Sequence, residues 1–215
     1  SRFPREPNRS MITLNGSIQR HFYFPADPLT TLIYFSELSR VAFLLPHINV
    51  IETYTDSQVR IRFQTVELGA YTINIYCDLE LTVDVGNNVI YIAPMTDYVP
   101  VADEATLNAT TGYGFYNSTA RLTPAEDDGT NIDYSFQFES KLQRPRGLRM
   151  MPRRIVDRIA HSISMGRVEE IADGFMVNAA EAFADWLAAQ KRTLAADWLA
   201  ARNGVAPAAE PRKGS

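Results

Sequence analysis

The sequence predicts an α+β fold in which a curved antiparallel sheet of about seven strands closes on one long C-terminal helix. Three observations predict it. Residues from Pro152 to about Gln190 contain no further proline, are rich in Ala, Ile, Val, Glu and Arg, and read as one long helix or two abutting ones. Within them Val168, Ile171, Ala172, Phe175, Ala179, Phe183 and Trp186 fall three and four apart, on a single stripe. Almost everything earlier reads as strands, and a sheet with one apolar face needs an apolar element to close over it.

The elements follow in order. Residues 1–10 are polar, contain Pro and Arg, carry no apolar core of a secretory leader and are expected to be loose. From Met11 to Phe24, Ile18, Phe22 and Phe24 are separated by polar residues, which predicts a half-buried strand. Asp27 then serves as N-cap and Pro28 as first residue of a helix, where its missing N–H is harmless, with Leu29, Leu32, Ile33 and Phe35 as the apolar face. A second short helix, Leu38 to Leu45, ends at Pro46. Beyond it the period becomes two. His47 to Thr55 and Val59 to Val66 form a hairpin about Asp56-Ser57, with Val59, Ile61 and Phe63 on one face and Arg60 and Arg62 on the other.

Tyr71, Ile73, Ile75, Cys77, Leu79, Leu81 and Val83 alternate strictly with Thr72, Asn74, Tyr76, Asp78, Glu80 and Thr82, which is the clearest strand in the chain. Gly86-Asn87-Asn88 turns it into Val89 to Ala93, because Gly and Asn tolerate positive φ. Residues 94–111 form an irregular stretch long enough to be a functional lid. Tyr113 to Leu122 and Asn131 to Leu142 are the last strands, joined at Asp128-Gly129, and Ile132, Tyr134, Phe136 and Phe138 share a face. The expected organisation is one domain over residues 11–190, a helical extension over 191–204 and a disordered tail over 205–215.

A hydrophobic content of 46% with 21% charged residues is that of an ordinary soluble domain, and no apolar run approaches the ~18 to 20 residues that span a bilayer. Cys77 is the only cysteine, so no internal disulfide forms and a reducing cytoplasm is the expected compartment. Three histidines and one cysteine in separate elements do not make a metal site. No G-x-G-x-x-G, P-loop or G-x-S-x-G motif is present, so neither a cofactor nor a catalytic set is assigned.

The formal charge of −4 conceals segregation. Residues 141–158 carry seven bases against one acid, a net +6, while the rest of the chain nets −10. A basic cluster at a helix N-terminus opposes the macrodipole, so local helix stability does not explain it. Arg146, Arg149, Arg153 and Arg154 interleave with Leu148, Met150 and Met151, a pattern that fits an anionic membrane surface; the alternative is pairing with the acidic remainder. Nucleic acid is not an expected partner, because the chain is acidic and the basic stretch lacks aromatics.

Two features of the long helix remain. Ile155, Ile159 and Ile163 lie roughly 160° around from the Val168 stripe, so the helix either kinks near Ser164-Met165-Gly166 or presents an apolar outer face. The pattern ADWLAA recurs at Ala184–Ala189 and Ala196–Ala201, and Phe183, Leu187, Leu194 and Trp198 form a separate line suited to a second copy of the chain.

Tyr71, Tyr91, Tyr116 and Tyr134, with Cys77 and Ser118, are expected to project from the sheet toward the helix, and several inward tyrosines predict a ligand cavity dotted with hydroxyls. Ile73, Ile75, Phe136, Phe138, Ile171 and Phe175 would supply its apolar walls.

The stretches HFYFPADPLTTLIYFSELSRVAFLLPHINVIE (His21 to Glu52) and DGTNIDYSFQFE (Asp128 to Glu139), followed by a proline and the long helix, resemble the START-like (SRPBCC, birch-pollen-allergen-like) superfamily, nearest its DUF-type branches. The resemblance runs from about Met11 to Gln190 and implies a helix-grip fold, a cavity between sheet and helix, and an apolar ligand such as a lipid, quinone, isoprenoid or polyketide. Some members of that superfamily are cyclases or hydratases, so two alternatives stand beside a carrier. One is a cyclase, dehydratase or hydratase using a cavity tyrosine or carboxylate; the other is an interaction protein acting through its C-terminal helix.

Overall fold

A computed structural model describes residues 11–202, with side chains to residue 193. The elements are β1 (Met11–Phe24), α1 (Pro28–Phe35), α2 (Leu38–Leu44), β2 (Ile48–Thr55), β3 (Gln58–Glu67), β4 (Tyr71–Asp84), β5 (Val89–Pro94), β6 (Glu104–Ala105), β7 (Ala109–Pro124), β8 (Thr130–Gln143), a 3-10 turn (Arg146–Leu148) and α3 (Arg153–Arg202). The expected loose segment, residues 1–10, and tail, residues 205–215, lie outside the described residues. The chain divides into two compact units after Asn178, at a point inside the uninterrupted helix α3.

The first unit holds the sheet, in the order β1-β8-β7-β5-β4-β3-β2, with β6 on β7. Neighbours pair antiparallel, with one exception absent from the sequence reading. The six-residue β5 covers only Leu79–Asp84 of β4, and β7 runs past it to pair in parallel with Thr72–Tyr76. A long strand beside a short one would otherwise leave unpaired backbone groups at its free half.

The local chemistry of the turns is as read, with refinements. The Asp27 carboxylate accepts from the backbone N–H groups of Leu29 and Thr30 at 3.0 and 3.1 Å, capping α1. In α1, Leu32 and Phe35 are buried, but Leu29 and Ile33 are exposed. Their places are taken by Thr31, whose hydroxyl donates to Ala26 O at 3.1 Å, and by Tyr34, whose ring stacks on Phe24 at 5.5 Å. A polar residue with a satisfied hydroxyl can occupy a core position that hydropathy assigns elsewhere. Positive φ falls on Asn88 in the β4–β5 turn and on Asp128, not Gly129, in the β7–β8 turn.

Residues 94–108 do not form a lid over the interior. They pack on the outer face of the sheet, around Asp78, which is fully buried. Arg60, directly opposite on β3, donates to both carboxylate oxygens at 2.8 and 2.9 Å; the hydroxyls of Tyr54 and Tyr113 each donate at 3.0 Å. Arg60 also donates to Val99 O at 2.7 Å, Met95 N–H donates to Asp78 O, and Tyr98 stacks on Tyr113 at 4.6 Å. Burial alone would push the Asp78 carboxyl up, but hydrogen bonds from Arg60, Tyr113 and Tyr54 outweigh it and hold the group below the ordinary carboxylate range. The loop is thus fastened to a buried ion pair shared by four strands.

The part of α3 that belongs to the first unit closes the inner face without a break in the helix. Neither a kink nor a second apolar face is required. The buried positions of α3 within the first unit are Val156, Ala160, Ser164, Val168, Ala172 and Phe175, stepping by four and then three. Each step of four advances about 40° around a helix of 3.6 residues per turn, so the buried stripe winds as it goes. The small residues Ala160 and Ser164 link the two apolar lines that hydropathy separated, and Ile155 is left exposed. Gly166 is on the open side, with nothing near where a Cβ would stand. The glycines set by packing are Gly16, where a Cβ would stand 2.7 Å from Val168 Cγ2, and Gly174, where it would stand 2.4 Å from Pro46 Cγ. In the second unit Phe183 stacks on Trp186 at 5.7 Å, and the side chains of Leu194 and Trp198 lie outside the described residues.

Two predictions arise. Gly166→Ala is expected to stabilise by about 0.5 to 1 kcal/mol through helix propensity, whereas Gly174→Ala, with the same propensity gain, destabilises by about 1 to 3 kcal/mol through overpacking against Pro46. Urea unfolding followed by far-UV circular dichroism, which reports the sheet and α3 together, reads both. Asp78→Asn is expected to cost about 3 kcal/mol at pH 7, because it leaves Arg60 without its counter-charge. The carboxylate's contribution is present above the unfolded-state value near 3.8 and fades as pH falls through the depressed native value. The gap between wild type and variant should therefore shrink at acid pH.

Candidate functional site

Where α3 crosses the concave face, the apolar side chains of β3, β4, β7 and β8 do not fill the space. A cavity of about 70 Å³ remains. Of the residues expected to bind ligand, Ile73, Ile75, Tyr116, Phe136, Phe138 and Ile171 line it. Alternation puts Ile73, Ile75 and Cys77 inward on β4, and the β7–β8 register places Tyr116 beside Phe138 and Ser118 beside Phe136.

The remaining predicted residues divide. Ser118, Tyr134 and Phe175 border a second apolar recess of about 30 Å³, toward α1 and β5. Tyr71 borders a third, of about 40 Å³, beside the start of α3. Tyr91 does not face the interior: it is 40% exposed, and Ile90 and Ile92 are the inward residues of β5. The six-residue β5 has its own phase, set by pairing Ile90 with Val83 and Ile92 with Leu81, which an aromatic-first reading assigns to the wrong parity.

Polar groups on the inner face are few and each has a partner. The Tyr116 and Tyr134 hydroxyls are 2.6 Å apart, with the Ser118 hydroxyl bonded to both. Burial raises the pKa of both tyrosines, so they stay protonated at neutral pH and can serve as hydrogen-bond donors, not as bases. Burial likewise pushes the Cys77 thiol up to about 12, which leaves it inert at neutral pH. Ser164 donates back to Ala160 O at 2.8 Å.

One charged residue reaches the cavity wall, and the sequence reading missed it. Arg167 donates to Glu67 at 2.8 Å and also pairs with Glu170, which in turn bonds His47 at 2.8 Å. Glu67 receives the Thr65 hydroxyl at 2.9 Å as well. This chain of groups joins α3 to β3 and to the α2–β2 connection at the edge of the cavity. The signal was available: Arg167 sits four residues after Ile163 and four before Ile171, inside the apolar period. Leu14, Phe63 and Val168 are among the further wall residues not named beforehand as ligand-lining. Among the described residues, no group of three or more His, Cys, Asp and Glu side chains is placed to hold a metal ion.

The residues expected to face a membrane are gathered at one end. Arg146, Arg149, Met150, Met151, Arg153 and Arg154 are exposed, while Leu148 is half-buried and borders the third recess. Among the described residues, the pairing with the acidic remainder that the alternative expects is made by Lys141, 3.7 Å from Glu139; Arg153 lies 3.5 Å from Asp157, the one acid inside the stretch, and Arg144 is buried, donating to Leu148 O and Met151 O. No helix among the described residues is long and apolar enough to cross a membrane.

No family model matches the chain, and no curated protein matches it. Solved structures do. An aromatase/cyclase from Streptomyces sp. R1128 is 10% identical over 78% of this chain and 90% of its own, with a TM-score of 0.43. Norcoclaurine synthase from Thalictrum flavum is 14% identical over 79% of this chain and 96% of its own, with a TM-score of 0.40. A conserved protein from Geobacillus kaustophilus is 15% identical over 81% and 96%, with a TM-score of 0.44. The element order, the curved sheet, the two short helices after the first strand and the long helix across the concave face make this chain a helix-grip fold, the architecture its sequence predicts.

Proposed function

We propose that this chain binds an apolar small molecule between the sheet and α3 and carries it to and from a membrane surface. The observation that supports this reading is the hydrocarbon cavity behind α3, with Tyr116 and Arg167 on its wall to offer an orienting hydroxyl and a charge, the Ser164 hydroxyl there being already given to Ala160 O. Ligand pockets typically measure about 300 to 1,000 Å³, so occupancy requires the 70 Å³ interior to expand. The three recesses share walls: the first and third have Leu14, Ile73 and Ile163 in common, and the first and second have Phe136 and Tyr134 as ring neighbours at 5.7 Å. Merging them by a small outward shift of α3 makes an elongated slot, suited to a lipid, quinone, isoprenoid or polyketide-like chain.

Native mass spectrometry and solvent extraction of the purified protein are expected to release an apolar compound. Cys77, the only cysteine, supplies a second readout. A thiol-reactive bimane should label it slowly at pH 7, faster as pH rises toward the thiol's value of about 12, and more slowly still when the cavity is occupied. Cys77→Phe is expected to abolish ligand binding at a stability cost of about 1 to 3 kcal/mol. Fast labelling at pH 7 that no apolar compound slows would count against a closed binding cavity.

A second reading is favoured by one observation, the buried Tyr116–Tyr134–Ser118 group. As a hydroxyl pair with raised pKa values facing an apolar space, it has the form of a proton donor for a cyclase or dehydratase. Under that reading Tyr116→Phe removes turnover and leaves ligand binding unchanged.

A further inference from the structure

The basic stretch and the third recess belong to one end of the molecule. There the β3–β4 turn, the connection before β7, the 3-10 turn and the first turns of α3 meet. The N–H groups of Arg146 and Gly147 donate to Thr106 O and Leu107 O at 2.8 Å, and Thr72 N–H donates to Asn108 O at 2.9 Å. Gly147 is held close to the Tyr71 hydroxyl, where a Cβ would stand at 3.0 Å. Buried Arg144 fixes residues 148–151 by donating to Leu148 O and Met151 O, so Met150 is held outward by a structured turn.

This end exposes five large apolar side chains: Leu68, Leu107, Met150, Met151 and Ile155, with Met150 95% exposed and Leu107 69%. Interleaved with them are Arg146, Arg149, Arg153 and Arg154, of which Arg153 alone has a carboxylate partner among the described residues. Apolar tips ringed by arginines, three of the four without a carboxylate partner among the described residues, match a lipid interface, where the tips enter the acyl boundary and the bases meet anionic headgroups. The rest of the chain nets −10, so the charge that draws anionic headgroups is confined to this stretch. Behind the patch lies the third recess, walled by Leu68, Tyr71, Leu148, Val156 and Ile159, and separated from the main cavity by Leu14, Ile73 and Ile163.

We infer that this end docks on an anionic bilayer and that the gap between Leu68–Tyr71 and Leu148–Ile159 is the door through which the ligand passes. The docking half stands on the exposed patch alone; the door rests on the carrier reading. In the docked orientation the door opens against acyl chains, so an apolar ligand crosses without entering water.

Sedimentation with vesicles of 30% phosphatidylglycerol in phosphatidylcholine, and with phosphatidylcholine alone, tests docking. Wild type is expected to pellet with the anionic vesicles at low salt and to be released by added salt. Each arginine is worth about fivefold in partitioning, so Arg149→Glu with Arg154→Glu should weaken binding by at least about twentyfold at low salt. Met150→Ser with Met151→Ser should weaken it at every ionic strength. Wild type left in the supernatant with both lipids at low salt overturns the proposal. For the door, a dansyl-labelled undecanoic acid is loaded on the protein and its transfer to quencher-bearing vesicles is timed. Ile159→Trp should slow transfer at least about tenfold without changing vesicle binding, and transfer at the wild-type rate overturns the door. Vesicle binding with no uptake of the probe would defeat the carrier reading and leave docking intact; uptake with no vesicle binding would do the reverse.

Discussion

The burial of one winding stripe of α3 against a twisted sheet is the constraint on which the inner face depends. Adjacent strands rotate by about 20 to 25° relative to one another, so a straight apolar line on a helix would part company with the sheet after a few turns. Stepping by four residues from Val156 through Val168 to Ala172 moves the contact line round the helix and keeps it on the sheet. Small residues are needed where the backbones come closest. Ala160 and Ser164 supply them from the helix, Gly16 supplies one from β1, and Gly174 clears the path for Pro46. Each large side chain buried along this line contributes about 1.5 to 3 kcal/mol, and the spaces between such contacts become the recesses.

Polar groups serve two different ends on the two faces of the sheet. On the outer face, Asp78 accepts four hydrogen bonds, counting both from Arg60, and so fastens β2, β3, β4 and β7 together with the long connection that brings β7 alongside β4. A buried carboxylate is tolerable only when its lone pairs are used in this way. On the inner face, Glu67, Arg167, Glu170 and His47 form a chain at the cavity edge, partly open to water, that ties the middle of α3 to β3. The part of the helix beyond this tie toward Val156 is held by apolar contacts, with no ion pair to the sheet among the described residues. That is the same part that carries the arginines and the exposed methionines.

Charge segregation acquires its meaning from this arrangement. Bases at the start of a helix oppose its dipole, and here they cost local stability in return for a one-sided surface. Arg144 shows the division of labour within the stretch: it is buried and shapes the turn, while Arg146, Arg149 and Arg154 remain in solvent.

Local chemistry determined much of this protein from sequence alone. The Asp27-Pro28 helix start, the strict alternation of β4, the turns at Asn88 and Asp128, and the proline-free run of α3 depend on contacts within a few residues, so hydropathy period and turn chemistry reveal them. Six of the eleven expected ligand-lining residues stand on one cavity wall for the same reason: they lie on long strands, or on the helix stripe, whose phase is unambiguous. The tertiary structure decided the rest. The parity of β5 was set by its partners β4 and β7, which turned Tyr91 outward. The parallel pairing of β7 with β4 followed from the unequal lengths of β4 and β5. The role of residues 94–108 came from Asp78, distant in sequence and buried only once four strands are assembled. The unity of the α3 stripe depended on Ala160 and Ser164, whose burial reflects how close a helix must come to a sheet, a distance that no hydropathy pattern contains.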